Sequence, residues 1–139
     1  MVELADGSLM LNCRDNRGGF RTIGITKDLG ETWTMHPTDR NTLQDPVCMA
    51  SLLRLEHKTH GPLLFFSNPN TRSGRYNMTL KVSSDEGMTW PEKHHTLYDS
   101  RHGSGYSCLT PVGDDHIGVY YEGPHEIYYL RFKIEDLIK

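Results

Sequence analysis

An eight-residue pattern occurs twice in this chain. Thr26-Lys27-Asp28-Leu29-Gly30-Glu31-Thr32-Trp33 and Ser83-Ser84-Asp85-Glu86-Gly87-Met88-Thr89-Trp90 both read Ser/Thr-x-Asp-x-Gly-x-Thr-Trp. These residue types in this order build a turn. The Asp carboxylate accepts from backbone N–H groups of the turn, Gly takes a positive φ, and Trp is expected to pack under the adjoining strands. Two copies in the same form point to a repeated supersecondary unit, and units of roughly 40–50 residues are the size of propeller blades. The repeats specify an architecture and leave function to other residues.

The flanking pattern agrees. Short apolar or alternating runs are punctuated by Asp6-Gly7, Gly18-Gly19, Gly113-Asp114 and Gly123-Pro124, the mark of strands and tight turns. Strands are predicted at Leu9–Arg14, Phe20–Thr26, Ala50–Glu56, Leu63–Ser67, Asn77–Ser83, His95–Tyr98, Tyr106–Pro111, His116–Glu122 and Glu126–Lys133. Ile134–Lys139 reads as a tail with a short helical turn. The expectation is an all-β chain forming one domain over residues 1–139, with two to three blades where a closed ring needs about four to eight. On that count it is the C-terminal portion of a longer propeller. A small standalone β-sandwich is the alternative.

A net charge of −3 over 139 residues argues against a nucleic-acid surface. No apolar run reaches membrane-spanning length, and the N-terminus lacks a signal-peptide profile. Cys13, Cys48 and Cys108 lie in strand-like segments without metal spacing and are read as buried free thiols. Eight histidines raise the question of zinc. His94-His95 and His57…His60 stand in polar turns without a partnering Cys or carboxylate at metal spacing, so no metal is expected.

The repeats resemble the Asp-box of sialidase-type β-propellers, and the resemblance to exo-α-sialidases, closest to the bacterial type, runs along almost the whole chain. Val2-Glu3-Leu4-Ala5-Asp6-Gly7-Ser8-Leu9-Met10-Leu11-Asn12-Cys13-Arg14-Asp15 looks like the segment bearing the second arginine of the family's carboxylate-binding triad, which falls on Arg14. Phe65-Phe66-Ser67-Asn68-Pro69 with Gly74-Arg75-Tyr76-Asn77-Met78-Thr79-Leu80 resembles the segment of the third arginine, Arg75. Gly103-Ser104-Gly105-Tyr106-Ser107-Cys108-Leu109-Thr110 is similar to the segment of the nucleophilic tyrosine, Tyr106. Gly118-Val119-Tyr120-Tyr121-Glu122 resembles the strand whose glutamate, Glu122, braces the first arginine. Asp45-Pro46-Val47-Cys48-Met49-Ala50-Ser51 is similar to a segment near the sugar pocket. Asp28, Gly30, Trp33, Asp85, Gly87 and Trp90 remain structural, on the outer turns of blades.

The implied chemistry explains the residue types. Sialic acid carries its carboxylate on the anomeric carbon, and guanidinium groups bind it through planar, paired, charge-assisted hydrogen bonds. A tyrosine nucleophile avoids the repulsion a carboxylate would meet there, and sialidases are a known exception of this kind among glycosidases. A phenol needs a neighbouring base. The resemblance puts the base glutamate, the acid aspartate and the first arginine in segments preceding Met1.

What the resemblance implies is therefore a six-bladed propeller sialidase that removes terminal α-linked sialic acids with retention through a tyrosyl intermediate, without cofactor. Its partners would be sialylated glycoproteins, gangliosides and oligosaccharides, together with the remaining N-terminal blades. The parent would be secreted, periplasmic or cell-surface, or lysosomal in a eukaryote. The chain alone is expected to be inactive, and to expose Leu9, Leu11, Ile23 and Ile25 where another blade would pack.

Plainer readings stand beside these. Arg14 and Arg75 are also credible as solvated strand-end charges, Tyr106 as a half-buried aromatic, and Glu122 as a strand-end carboxylate. Arg17, Arg21, Arg72 and Arg101 compete for the triad role. A non-catalytic Asp-box module binding glycans or proteins, or a degenerate pseudo-sialidase, would share the fold. The set Arg14, Arg75, Tyr106 and Glu122 is what separates these readings.

Overall fold

Three antiparallel meanders follow one another in a computed structural model that describes all residues, Met1–Lys139. The first sheet joins β1 (Val2–Glu3), β2 (Leu9–Cys13), β4 (Thr22–Thr26) and β5 (Thr34–Met35) in the order β1-β2-β4-β5. The second joins β7 (Ser51–His57), β8 (Gly61–Pro69), β9 (Met78–Ser83) and β10 (His95–Asp99), each paired with the next. The third holds β11 (Ser107–Val112), β12 (His116–Glu122) and β13 (Ile127–Lys133), after which α1 (Ile134–Leu137) folds back. A two-strand ribbon of β3 (Gly19–Phe20) and β6 (Gln44–Asp45) bridges the first and second sheets. β1, β7 and β11 are the leading strands, and β7 lies beside both of the others. The sheets do not close on themselves.

The central strands β8 and β9 of the second sheet are buried on both faces, and β8 accordingly reads as the nearly continuous apolar run Pro62–Phe66. In β8 the two-residue period divides the core. Leu63 and Phe65 point to one side and join Met78, Leu80, Val82, Ile117, Val119 and Tyr121 against the third sheet. Leu64 and Phe66 point to the other, with Met10, Ile23, Leu43 and Trp90 against the first. Each buried Phe contributes about 1.5–3 kcal/mol. Ile134 and Leu137 of α1 close the end of the first of these clusters. β13 alternates exposed and half-buried residues, as a strand packed on one face does.

Both repeats form the same turn, at the link from the third to the fourth strand of their sheets. Asp28 Oδ1 accepts from Thr32 N–H at 2.9 Å and Asp85 Oδ1 from Thr89 N–H at 2.9 Å. The hydroxyls of Thr32 and Thr89 donate to the other carboxylate oxygen, both at 2.6 Å. Thr26 Oγ1 and Ser83 Oγ accept from Gly30 and Gly87 N–H at 2.8 and 3.0 Å. Two successive residues enter the left-handed region in each turn, Leu29 and Gly30, then Glu86 and Gly87. Bonds from Thr32, then Thr26, hold the Asp28 carboxyl at about 2. A depressed carboxyl contributes stability above its unfolded value near 4, and that contribution is lost as pH falls through 2.

The two tryptophans differ, contrary to the expectation that both lie beneath strands. Trp90 is 7% exposed and meets Phe66 edge-on at 6.0 Å. Trp33 is 41% exposed and lies over Gly24, where a Cβ would stand 3.1 Å from its ring. The reason is the neighbour: the second turn reaches the first sheet, whereas nothing in residues 1–139 covers the outer side of Trp33. The expected apolar display is likewise divided. Ile23 and Ile25 face the second sheet, while Leu9 and Leu11, by the pleat of β2, lie on the opposite face.

Other expectations need adjustment. The run Phe20–Thr26 breaks at Arg21, because β3 pairs with β6 while β4 pairs with β2. Asn77 precedes β9 with φ 57°. Tyr106 lies in the loop before β11. All three cysteines are free as expected, but only Cys48 is buried; Cys13 is half-buried and Cys108 is exposed, since β11 turns it outward.

Trp90→Ala removes the anchor between two sheets and is expected to cost about 3–5 kcal/mol in urea denaturation. Trp33→Ala should cost clearly less. Equal losses would contradict the division of the core.

Candidate functional site

Tyr106 collects the predicted residues around itself. Its ring lies 5.4 Å from the Arg75 guanidinium carbon. Arg75 Nη1 donates to Ser104 O at 2.9 Å, and Gly103 N–H donates back to Arg75 O at 2.9 Å, so the tyrosine loop and the arginine loop are tied together. Gly105 permits the approach. Its φ is 80°, and a Cβ there would stand 2.9 Å from Pro69 Cγ and 3.3 Å from Arg75 Cβ. Glu122 N–H donates to Tyr106 O at 2.9 Å, which sets the end of β12 beside the start of β11.

Two clefts meet at Tyr106 and Met49. One, about 390 Å³, is lined by Asn12, Arg14, Arg21, Met49, Ala50 and Tyr106. The other, about 200 Å³, adds Ser107, Cys108, Tyr120, Tyr121, Glu122 and Ile127. Arg14 is exposed; Arg75, Tyr106 and Glu122 are partly buried. All four residues thus meet at one end of the sheets: after β2, after β8, before β11 and at the end of β12. Of the four competing arginines, Arg21 also lines the first cleft, while the other three are engaged elsewhere. Arg17 pairs with Asp15, Arg101 with Asp99, and Arg72 lies over Phe20.

Sequence reasoning missed what lies behind this end. Arg21, 3% exposed, donates from Nε to Asn12 Oδ1 at 2.7 Å and from Nη1 to Cys48 O at 2.7 Å and Asp45 Oδ1 at 3.3 Å. Asn68 Nδ2 donates to Gln44 O at 2.7 Å and Asp45 Oδ1 at 3.3 Å, while its Oδ1 accepts from Lys81 Nζ at 2.9 Å. Asp45, Asn68 and Lys81 are all buried. The signal was present in the sequence as Lys81, a charge between Leu80 and Val82 in a strand buried on both faces. Burial pushes the Lys81 ammonium down to about 7, against the pull of Asp45. Burial also lowers Arg21 from its ordinary value, opposed by the charge of Asp45.

The network shapes the Pro46–Ala50 loop. Asp45 Oδ2 accepts from Cys48 N–H at 3.0 Å, and the intervening Val47 is held at φ 60°. That conformation in a β-branched residue costs on the order of 1–3 kcal/mol and persists only where the surroundings enforce it. Met49, next in the loop, stands between the two clefts. Cys48 beneath it lies 3.4 Å from Gly105 O, and burial raises its thiol. The cleft thus carries the exposed Arg14 guanidinium beside the Tyr106 phenol, with the Arg75 guanidinium against the tyrosine ring.

Comparison with known proteins gives one consistent picture. Residues 1–119 match the BNR repeat-like domain. The chain is 47% identical to a sialidase of Bacteroides fragilis over its whole length, which corresponds to 26% of that protein. It is 33% identical to a sialidase of Micromonospora viridifaciens, over 96% of this chain and 21% of the relative. Among solved structures, the Hadza microbial sialidase Hz136 superimposes on 93% of the chain with a TM-score of 0.87 and 46% identity, covering 26% of that protein. The chain therefore spans about a quarter of the length of the proteins it matches, and its open sheets correspond to part of a propeller.

A lysine whose folded value lies below its unfolded one binds fewer protons in the native state, so stability from this group rises as pH climbs from 7 toward 10. Lys81→Met removes the penalty. The difference in unfolding free energy between wild type and Lys81→Met should therefore move in favour of wild type between pH 7 and 9. A pH-independent difference would show that the ammonium is not desolvated.

Proposed function

The chain belongs to the sialidase family built on BNR repeats, and from that premise we propose that it supplies the nucleophile and two carboxylate-binding arginines of an exo-α-sialidase. The observation that carries the reading is the meeting of Arg75, Arg14 and Glu122 at Tyr106. A module that only binds protein has no need of a phenol under a guanidinium at a cleft. The substrates would be terminal α-linked sialic acids on glycoproteins, gangliosides or oligosaccharides. Such glycans are displayed outside the cytosol, which fits a secreted, periplasmic or cell-surface parent.

In this mechanism Arg14 and Arg75 hold the substrate carboxylate and so fix the anomeric carbon over Tyr106. Guanidinium groups do this without competing for a proton, and their planar forks set orientation as well as affinity. The Tyr106 oxygen forms a bond to the anomeric carbon as the bond to the leaving oxygen breaks. Water then displaces the tyrosyl group from the same face on which the leaving group stood, giving retention after two inversions. The phenolic proton must go to a base and the leaving oxygen must gain a proton. By family resemblance those groups, and the first arginine that Glu122 would brace, lie on other blades of a six-bladed ring. Turnover is accordingly a property of the assembled propeller, and residues 1–139 by themselves are read as inactive.

Two substitutions in the full-length protein test the roles. Tyr106→Phe keeps the clamp and removes the nucleophile, so kcat for a fluorogenic sialoside should fall by orders of magnitude while inhibitor affinity is largely kept. Near-normal turnover would exclude Tyr106. Arg75→Lys keeps the charge and loses the fork, and calorimetry with a sialic-acid-like inhibitor should show binding weakened by about 2–5 kcal/mol. Unchanged affinity would pass the role to another arginine.

A further inference from the structure

At the end of the second sheet away from the cleft, the fold supplies a ligand the sequence pattern had not shown. β7 begins at Ser51, next to the cleft residues Met49 and Ala50, and ends at His57. Seven residues of strand carry it roughly 20 Å away. The turn into β8 bears His57 and His60, three positions apart. Their rings stack with centroids 5.1 Å apart and planes at 20°, which sets the two imidazoles side by side. Glu135 enters from α1, its Oε2 3.1 Å from His60 Nε2. One donor atom from each of the three lies within 4.8 Å of the other two.

We propose that His57, His60 and Glu135 form a site for a divalent transition metal of the zinc type, with water completing the coordination. Ligands at 2.0–2.1 Å around a tetrahedral ion are about 3.4 Å apart, within about 1.4 Å of the largest separation the three donor atoms have now. Two imidazoles and one carboxylate suit zinc, nickel or copper and not the oxygen-seeking calcium and magnesium. His57 is buried, while His60 and Glu135 keep 26% and 44% of their side chains exposed, leaving an entry path. The Thr59 N–H bond to His57 Nδ1 is long, 3.4 Å, and readily given up. The neighbouring Lys58 is already paired with Asp114 at 2.6 Å, and Asp115 stands nearby at the next turn, where its carbonyl accepts from Ile134 N–H. A metal here would fasten α1, which caps the core between the second and third sheets, to the β7–β8 turn. It stands apart from the sugar cleft and has a structural role.

The test uses the full chain in a Cys13→Ser/Cys108→Ser background, so that accessible thiols do not bind the probe. After chelation and dialysis, Zn²⁺ is titrated against a chromophoric indicator. One equivalent should bind and raise the thermal midpoint. His60→Ala at a half-buried position and Glu135→Gln at an exposed one should each weaken Zn²⁺ binding at least about tenfold, since loss of even an outer-sphere partner costs 10–100-fold, and should abolish the thermal shift. Absence of a saturable equivalent, or equal affinity in both variants, would overturn the site and leave an ordinary His–Glu pair.

Discussion

Everything in this fold depends on the double burial of β8. A sheet with water on one side can be a floor; one buried on both sides must be a partition, and its two faces then fasten two neighbours. Leu63 and Phe65 hold the third sheet while Leu64 and Phe66 hold the first. Adjacent residues of one strand thus serve different interfaces. A register slip by one position would exchange the two sets and lose both cores together.

That partition also explains why the cleft is lined by so many segments. The ends of β2, β8 and β12 and the approaches to β7 and β11 come together only because three sheets stand face to face. The polar residues behind them have a matching logic. Arg21, Asp45, Asn68 and Lys81 sit where the ribbon β3–β6 crosses the seam between sheets, and their bonds replace the apolar packing that the ribbon interrupts. Buried ionic groups of this kind are expensive when incomplete and specific when complete. Here they hold the loop carrying Val47 in a conformation it would not adopt alone.

The legible part of the fold was what short-range chemistry encodes. The turn repeats announced their own hydrogen bonds, and most of the long strands were given to within a residue or two at each end. β8 runs two residues beyond the predicted Leu63–Ser67 at both ends because pairing on both sides extends it through Gly61 and Pro69. The four candidate residues came from motif resemblance, and the fold brings them to one end of the sheets. Less legible were features created by partners distant in sequence. β1, β3, β5 and β6 are two-residue strands that exist because of what they pair with, and no local pattern marks them. Trp33 and Trp90 have the same sequence context and different burial, because burial belongs to the neighbour. Glu135 is equally invisible as a companion to His57 and His60, since only the fold-back of α1 after β13 brings it there.

Apart from the short β3–β6 ribbon between the first and second, the sheets meet through side chains and isolated bonds rather than through ladders. Between β7 and β11 the links are Leu109 N–H to Ser51 Oγ at 2.9 Å and, one strand outward, the pair Ser67 and Ser107; no backbone ladder crosses the seam. Ladders fix position through directional bonds, whereas apolar contact is non-directional. Stiffness in this molecule is therefore anisotropic: high within a blade, lower for tilt of one blade against the next. The width of a cleft bordered by separate blades is set by that softer mode. Packing at Phe65, Phe66 and Trp90, behind the cleft rather than in it, is therefore part of what sets its aperture.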